Sequence, residues 1–178
     1  MYYMAIICPP ELDDSIHDYK LWMKENFGSK AALRSPAHIT IIPPFFLEKE
    51  KETLLIKVMD DFTSGQDPIQ IELAGFDHFG KKVIVVKVQD NPPLKQLKSD
   101  ADNYFSYHFK KEIKKEDRPF NPHISIANRD IPQGEFNRAW DHFKEKKLDE
   151  TFPARSLSLL KLSPGKWNVI HVVDWVNK

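Results

Sequence analysis

The stretch Pro36-Ala37-His38-Ile39-Thr40-Ile41-Ile42-Pro43-Pro44 constrains this chain more than any other. Ile39 and Ile41 alternate with His38 and Thr40, and prolines bound both ends, so the segment predicts a short β-strand. Side chains along a strand point to opposite faces with period two. His38 and Thr40 therefore share one face, and the isoleucines face a core. The pattern returns at Asn121-Pro122-His123-Ile124-Ser125-Ile126-Ala127, with His123 standing 85 positions after His38. A chain that places His-Ile-Thr and His-Ile-Ser in two such strands invites comparison of its halves.

The halves compare well. Tyr2 to Cys8 reads as a strand, followed by Pro9-Pro10 and an amphipathic helix from Glu11 to Phe27 with Leu12, Ile16, Tyr19, Met23 and Phe27 on one stripe. Gly28 suits the C′ position that ends it. After the His38 strand, a helix is predicted from about Glu48 to Phe62, with Leu54, Leu55, Val58, Met59 and Phe62 inward, and then a strand from Ile69 to Leu73. The second half starts with a strand, Lys82 to Val88, then Pro92-Pro93 and a helix from about Leu94 to Phe109 that buries Leu94, Leu97, Ala101, Tyr104, Phe105 and His108. The His123 strand follows. Pro132 is expected to open the next helix, with Phe136, Ala139, Trp140 and Phe143 inside. Strands from Phe152 to Leu162 and from Lys166 to Val176 close the chain around the Ser163-Pro164-Gly165 turn. This order predicts an α+β protein of two similar lobes, about 1–80 and 81–178, in a single domain with strand exchange between lobes allowed.

With 26 basic and 26 acidic residues the net charge is zero, which argues against general DNA binding. The lone cysteine, Cys8, lies in an apolar run and is expected to be a buried thiol. No apolar run is long enough for a membrane span, and the start lacks signal-peptide character. A cytoplasmic monomer is the expectation.

If the two halves are related by a rough two-fold axis, the His-x-Thr and His-x-Ser strands face each other across a cleft and place two imidazoles and two hydroxyls around one small volume. One neutral histidine can take a proton from an attacking hydroxyl while the other, protonated, supplies a leaving oxygen. Thr40 and Ser125 can donate to the non-bridging oxygens of a phosphate. The motifs bring no third ligand at metal spacing, so neither metal nor cofactor is expected. Substrate-contact candidates are Arg34, which enters the first motif strand, Phe45, which leaves it and can stack on a base, and Trp167 after the last turn. Lys166 is a weaker phosphate candidate. Among the other histidines, His17 and His142 are expected in solvent, His78 in a turn with a structural hydrogen bond, and His171 in the core.

These residues resemble the two-histidine phosphoesterase superfamily, in particular its 2′-5′ RNA ligase-like (LigT-like) branch. The match rests on Leu33-Arg34 ahead of Pro36 to Ile41, on Phe120 to Ala127, and on Phe76-Asp77-His78-Phe79 before the Val83 to Val86 strand. The resemblance implies a bilobal fold with two antiparallel-rich sheets around a central cleft and helices outside. It implies a metal-independent phosphoesterase acting on 2′,3′-cyclic phosphates, 2′-5′ linkages or related nucleotide and RNA-end esters, with ligation as the reverse reaction. His38 and His123 fall on the catalytic positions, Thr40 and Ser125 on the phosphate-binding ones. Related sequences often carry a basic residue directly after the alanine of the second motif. Here Asn128 intervenes before Arg129, which leaves the role of Arg129 open. The alternative is a nucleotide- or RNA-end-binding module on the same fold without turnover.

Overall fold

The structure is a computed structural model, described over residues 1–175. Eight strands and four α-helices follow one another as β1 (Tyr2–Ile7), α1 (Pro10–Phe27), β2 (His38–Phe45), α2 (Glu52–Thr63), β3 (Ile69–Phe79), β4 (Val83–Val88), α3 (Pro92–His108), β5 (His123–Asn128), α4 (Phe136–Phe143), β6 (Thr151–Ala154), β7 (Ser156–Ser163) and β8 (Lys166–Asp174) among the described residues. A 3-10 turn, Ala31–Arg34, precedes β2. The strands form two antiparallel four-stranded sheets, ordered β2-β1-β7-β8 and β5-β4-β3-β6. The fold is α+β, with the two antiparallel sheets expected.

Each motif strand pairs antiparallel with one neighbour. In the first sheet His38 lies opposite Ile7 and Thr40 opposite Ala5. In the second, His123 lies opposite Lys87 and Ser125 opposite Val85. Both motif strands are sheet edges, and β2 and β5 contact each other across the space between the sheets. Each sheet also contains strands from both halves: β7 and β8 extend the sheet of β1 and β2, and β3 lies between β4 and β6. The alternation in the motifs sets their burial, since Ile39, Ile41 and Ile124 are fully buried and the histidines and hydroxyl residues are half-buried.

Several sequence expectations are corrected. β2 does not stop at the prolines but runs through Pro43-Pro44 to Phe45, which an edge strand tolerates because its outer N–H positions need no ladder partner. The segment Phe152 to Leu162 is two strands broken at Arg155; β6 pairs with β3, and β7 crosses to pair with β1 and β8. Phe76 to Phe79 are not a turn but the far half of β3, past a bulge at Gly75, whose φ of 66° is in the left-handed region where glycine meets no Cβ penalty. Pro132 stands in a turn ahead of α4, whose helix starts at Phe136. Leu54 is exposed, and His108 is exposed with Phe109 buried next to it. The expected end of the last strand at Val176 lies outside the described residues. Cys8 is buried, and burial pushes its thiol up to about 12. No helix among the described residues is long and apolar enough to cross a membrane.

Removing the side chain that backs the first motif tests this packing. Ile41→Ala leaves a cavity under β2 and is expected to cost about 2–4 kcal/mol of folding free energy, read from urea unfolding. A loss below about 1 kcal/mol contradicts the packing described.

Candidate active site

The two motif strands meet at a cavity of about 500 Å³ between the sheets. His38 and Thr40 reach it from β2, His123 and Ser125 from β5, and Trp167 from β8. A neighbouring cavity of about 470 Å³ shares Thr40, Pro44, Phe79, Arg118 and His123 with the first and is walled by Pro119, Phe120 and Pro122. The cleft thus has two arms, with His123 and Thr40 at their junction.

The histidines are held in the same way. His38 Nδ1 lies 2.8 Å from Pro36 O, and His123 Nδ1 lies 2.8 Å from Asn121 O. A carbonyl can only accept, so Nδ1 carries the hydrogen in both rings and, in the neutral form, Nε2 holds the lone pair. Each imidazole also rests on an aromatic ring. Tyr3 is 5.0 Å from His38, and Phe79 is 4.8 Å from His123 in an edge-on contact. Trp167 packs edge-on against Tyr3 at 4.6 Å, which links β8 to the same wall.

The loop ahead of β2 is tied down from both sides. Asp13 of α1 accepts the Ala37 N–H at 2.6 Å, and Lys20 of α1 donates to Ser35 O at 3.1 Å. From the other half, the Asp130 carboxylate accepts from Ser29 Oγ at 2.6 Å and from the N–H groups of Lys30 and Ala31 at 2.6 and 2.7 Å. The preceding residue, Arg129, lines the cleft with φ 63°, its N–H bonded to Lys82 O at 2.8 Å. A non-glycine residue in the left-handed region is uncommon, and the flanking Asp130 contacts hold the chain there.

Both imidazoles resist protonation. Burial drives His38 down from 6.5 to about 4, opposed by its bond to Pro36 and Asp13 and assisted by Lys20 and His123. Burial also lowers His123, opposed by its bond to Asn121. Desolvation penalises imidazolium, and an arriving phosphate anion reverses that penalty.

Two candidates do not reach the cleft. Arg34 Nε donates to Gly165 O at 2.7 Å, tying the 3-10 turn to the β7–β8 hairpin, and the side chain is not in the cleft wall. Phe45 is buried against Tyr2 at 6.2 Å; because β2 continues through the prolines, its side chain joins the core face. Lys166 is also absent from the wall. Conversely, Tyr3, Lys20, Phe79, Arg118 and Asn128 line the cleft without having been singled out by sequence. Lys20 had a signal: it follows Ile16 by four and precedes Met23 by three, so a cation falls on the buried stripe of α1. The other histidines are elsewhere. His142 stacks on Trp22 at 3.5 Å and 9°, not in solvent, because α4 lays it against α1. His171 is not a core residue but meets Asp60 of α2 at 2.7 Å. His78 Nδ1 bonds Gly80 O at 2.8 Å, and His17 is exposed.

The family model of the 2′-5′ RNA ligase superfamily matches residues 8–166. The chain belongs to that superfamily, a group of two-histidine phosphoesterases, and its enzyme class is phosphoesterase. Among sequence relatives, it is 28% identical over 173 residues to "Putative phosphoesterase GK0864" of Geobacillus kaustophilus (strain HTA426), covering 95% of this chain and 93% of the relative. It is 25% identical over 137 residues to "Putative phosphoesterase BH1439" of Halalkalibacterium halodurans, covering 75% of this chain and 76% of the relative. Among solved structures, E. coli LigT complexed with 3′-AMP superposes with a TM-score of 0.71 at 16% identity, covering 99% of this chain and 98% of LigT. TT0787 of Thermus thermophilus gives the same TM-score of 0.71 and 16% identity over 98% of this chain and 97% of its own. These structural likenesses concern the fold.

The buried histidine carries a stability signature. Between pH 6.5 and about 4 the unfolded chain binds a proton at His38 that the folded chain refuses, so stability falls as pH drops through this window. A shift of this size corresponds to about 3 kcal/mol when fully developed. His38→Asn is expected to flatten that slope in urea unfolding at about pH 7 and about pH 4.5. An unchanged slope contradicts the burial described.

Proposed function

We propose that this protein is a metal-independent phosphodiesterase that opens 2′,3′-cyclic phosphates or 2′-5′ phosphodiesters of nucleotides or RNA ends. The observation that carries this reading is the pair of histidines, each fixed through Nδ1 to the carbonyl two residues before it, lining one cleft with a hydroxyl residue beside each. Nucleotide binding is supported by the like-folded LigT, whose structures hold 3′-AMP, ATP and NADP+.

In the proposed step, His38 Nε2 takes a proton from water as the water oxygen bonds to phosphorus. His123 gives its proton to the leaving oxygen as the opposite P–O bond breaks. Each histidine ends with the proton state of the other, and exchange with solvent resets the pair. Thr40 and Ser125 hydroxyls donate to the non-bridging oxygens, where charge accumulates. His38 is assigned as base because Lys20 and His123 add to burial in opposing its protonation, whereas His123 is lowered by burial alone. Arg118 and Arg129 in the same wall supply positive charge for the phosphate. The apolar arm beyond His123, walled by Phe120, Pro119 and Pro122, fits a base or sugar attached to the leaving side.

The test is hydrolysis of a panel of nucleoside 2′,3′-cyclic phosphates and 2′-5′ dinucleotides, with EDTA present. Turnover is expected in wild type and a loss of at least about 10³-fold in His38→Ala and in His123→Ala, with both variants folded. Activity that survives either substitution, or that EDTA removes, contradicts the mechanism. Because kcat/KM reports the free enzyme, its pH profile is expected to rise with pH through about 4 as His38 loses its proton, and then to fall as pH rises and His123 loses its own, at a pH lower than for an ordinary histidine. The kcat profile should lie at higher pH, since bound phosphate favours imidazolium. Nucleotide binding that survives loss of one histidine, without turnover on any panel member, would instead mark a binding module.

A further inference from the structure

Lys20 is 2% exposed, and its only hydrogen bond among the described residues is to Ser35 O at 3.1 Å. An ammonium carries three donors, and a buried one with a single carbonyl partner is a costly arrangement that packing alone would not favour. A methionine would fill the same space on the apolar stripe of α1 without that cost. Lys20 also lines the cleft that holds His38.

Its place relative to Asp13 is informative. The two residues are seven apart on α1, hence two turns along one face. Asp13 takes the Ala37 N–H and Lys20 the Ser35 carbonyl, while Pro36 between them supplies the carbonyl that fixes the His38 ring. Cys8 N–H completes the set by donating to Ala37 O at 2.9 Å. One helix face therefore grips Ser35 and Ala37, on either side of Pro36.

We propose that Lys20 is a positioning residue for His38, fixing through Ser35 the loop whose Pro36 carbonyl holds the ring, and lending the cleft wall positive charge that adds to burial in opposing protonation of His38. This rests on the mechanism proposed above. The groups that face His38 are Lys20 and Asp13 from α1, His123 from β5 and Tyr3 from β1, with Arg118 and Arg129 in the same wall. Of these, Lys20 and His123 oppose protonation and Asp13 favours it. The arrangement lets an anionic substrate offset the Lys20 charge on arrival.

The experiment is an NMR titration of the His38 ring in the full-length chain, wild type against Lys20→Met, Lys20→Arg and Asp13→Asn, with the kcat/KM profile on whichever panel member turns over. In Lys20→Met the His38 midpoint is expected to rise by about half a pH unit or more. Lys20→Arg should restore the wild-type midpoint. In Asp13→Asn, where the amide oxygen still accepts from Ala37, the midpoint should fall. The acid limb of kcat/KM should follow the same order. An unmoved His38 midpoint in folded Lys20→Met, or a rise in Asp13→Asn, overturns the proposal. If Lys20→Met does not fold, the Asp13→Asn and Lys20→Arg titrations decide it alone. The NMR readout needs no turnover, so a failed activity panel with shifted midpoints counts against the proposed substrates and not against the placement of Lys20 beside His38.

Discussion

The hydrogen bond from each histidine Nδ1 to the carbonyl two residues earlier is the interaction on which the site depends. It is local, so each motif sets its own tautomer and ring plane within three residues. A histidine free to flip would present either nitrogen to a substrate, and proton transfer needs one nitrogen within hydrogen-bond reach of the reacting oxygen. The residues ahead of the histidines, Pro36-Ala37 and Asn121-Pro122, hold the chain extended so that the carbonyl comes within reach.

The sheets bring these two prepared histidines together. β2 and β5 are both edge strands, so each motif is free on one side to face the other across the cleft. Strands contributed across the halves, β7 and β8 to one sheet and β3 to the other, lock the two edges in relation. Around them, carboxylates hold the loops: Asp13 the approach to β2 within the first half, and Asp130 the 3-10 turn from the second half. Burial then makes both imidazoles reluctant to charge, and the cations Lys20, Arg118 and Arg129 leave the cleft open to an anion.

Much of this was legible because it was local. Strict alternation in His38 to Ile41 and His123 to Ile126 carries the strand, its buried face and its polar face in the letters themselves. What was hidden depended on partners far along the chain. Arg155 breaks a run that alternates without a glycine, so the crossing from β6 to β7 leaves no turn signal. The fate of Phe45 hung on whether an edge strand would tolerate Pro43-Pro44, which only the sheet order answers. His142 looks solvated beside charged neighbours until α4 sets it on Trp22. Lys20 was the readable omission, a cation on an apolar stripe at helical spacing.

The central claim is that His38 and His123 work on one phosphorus as a unit. A double-mutant cycle tests it most directly, comparing kcat/KM of His38→Ala, His123→Ala and the double variant on one phosphodiester substrate, with folding checked for each. Groups that act on the same transition state are strongly non-additive, so the double variant should lose little more than the worse single one. Losses that multiply, so that the double variant falls by the product of the two, would mean that the histidines act independently and would contradict the account.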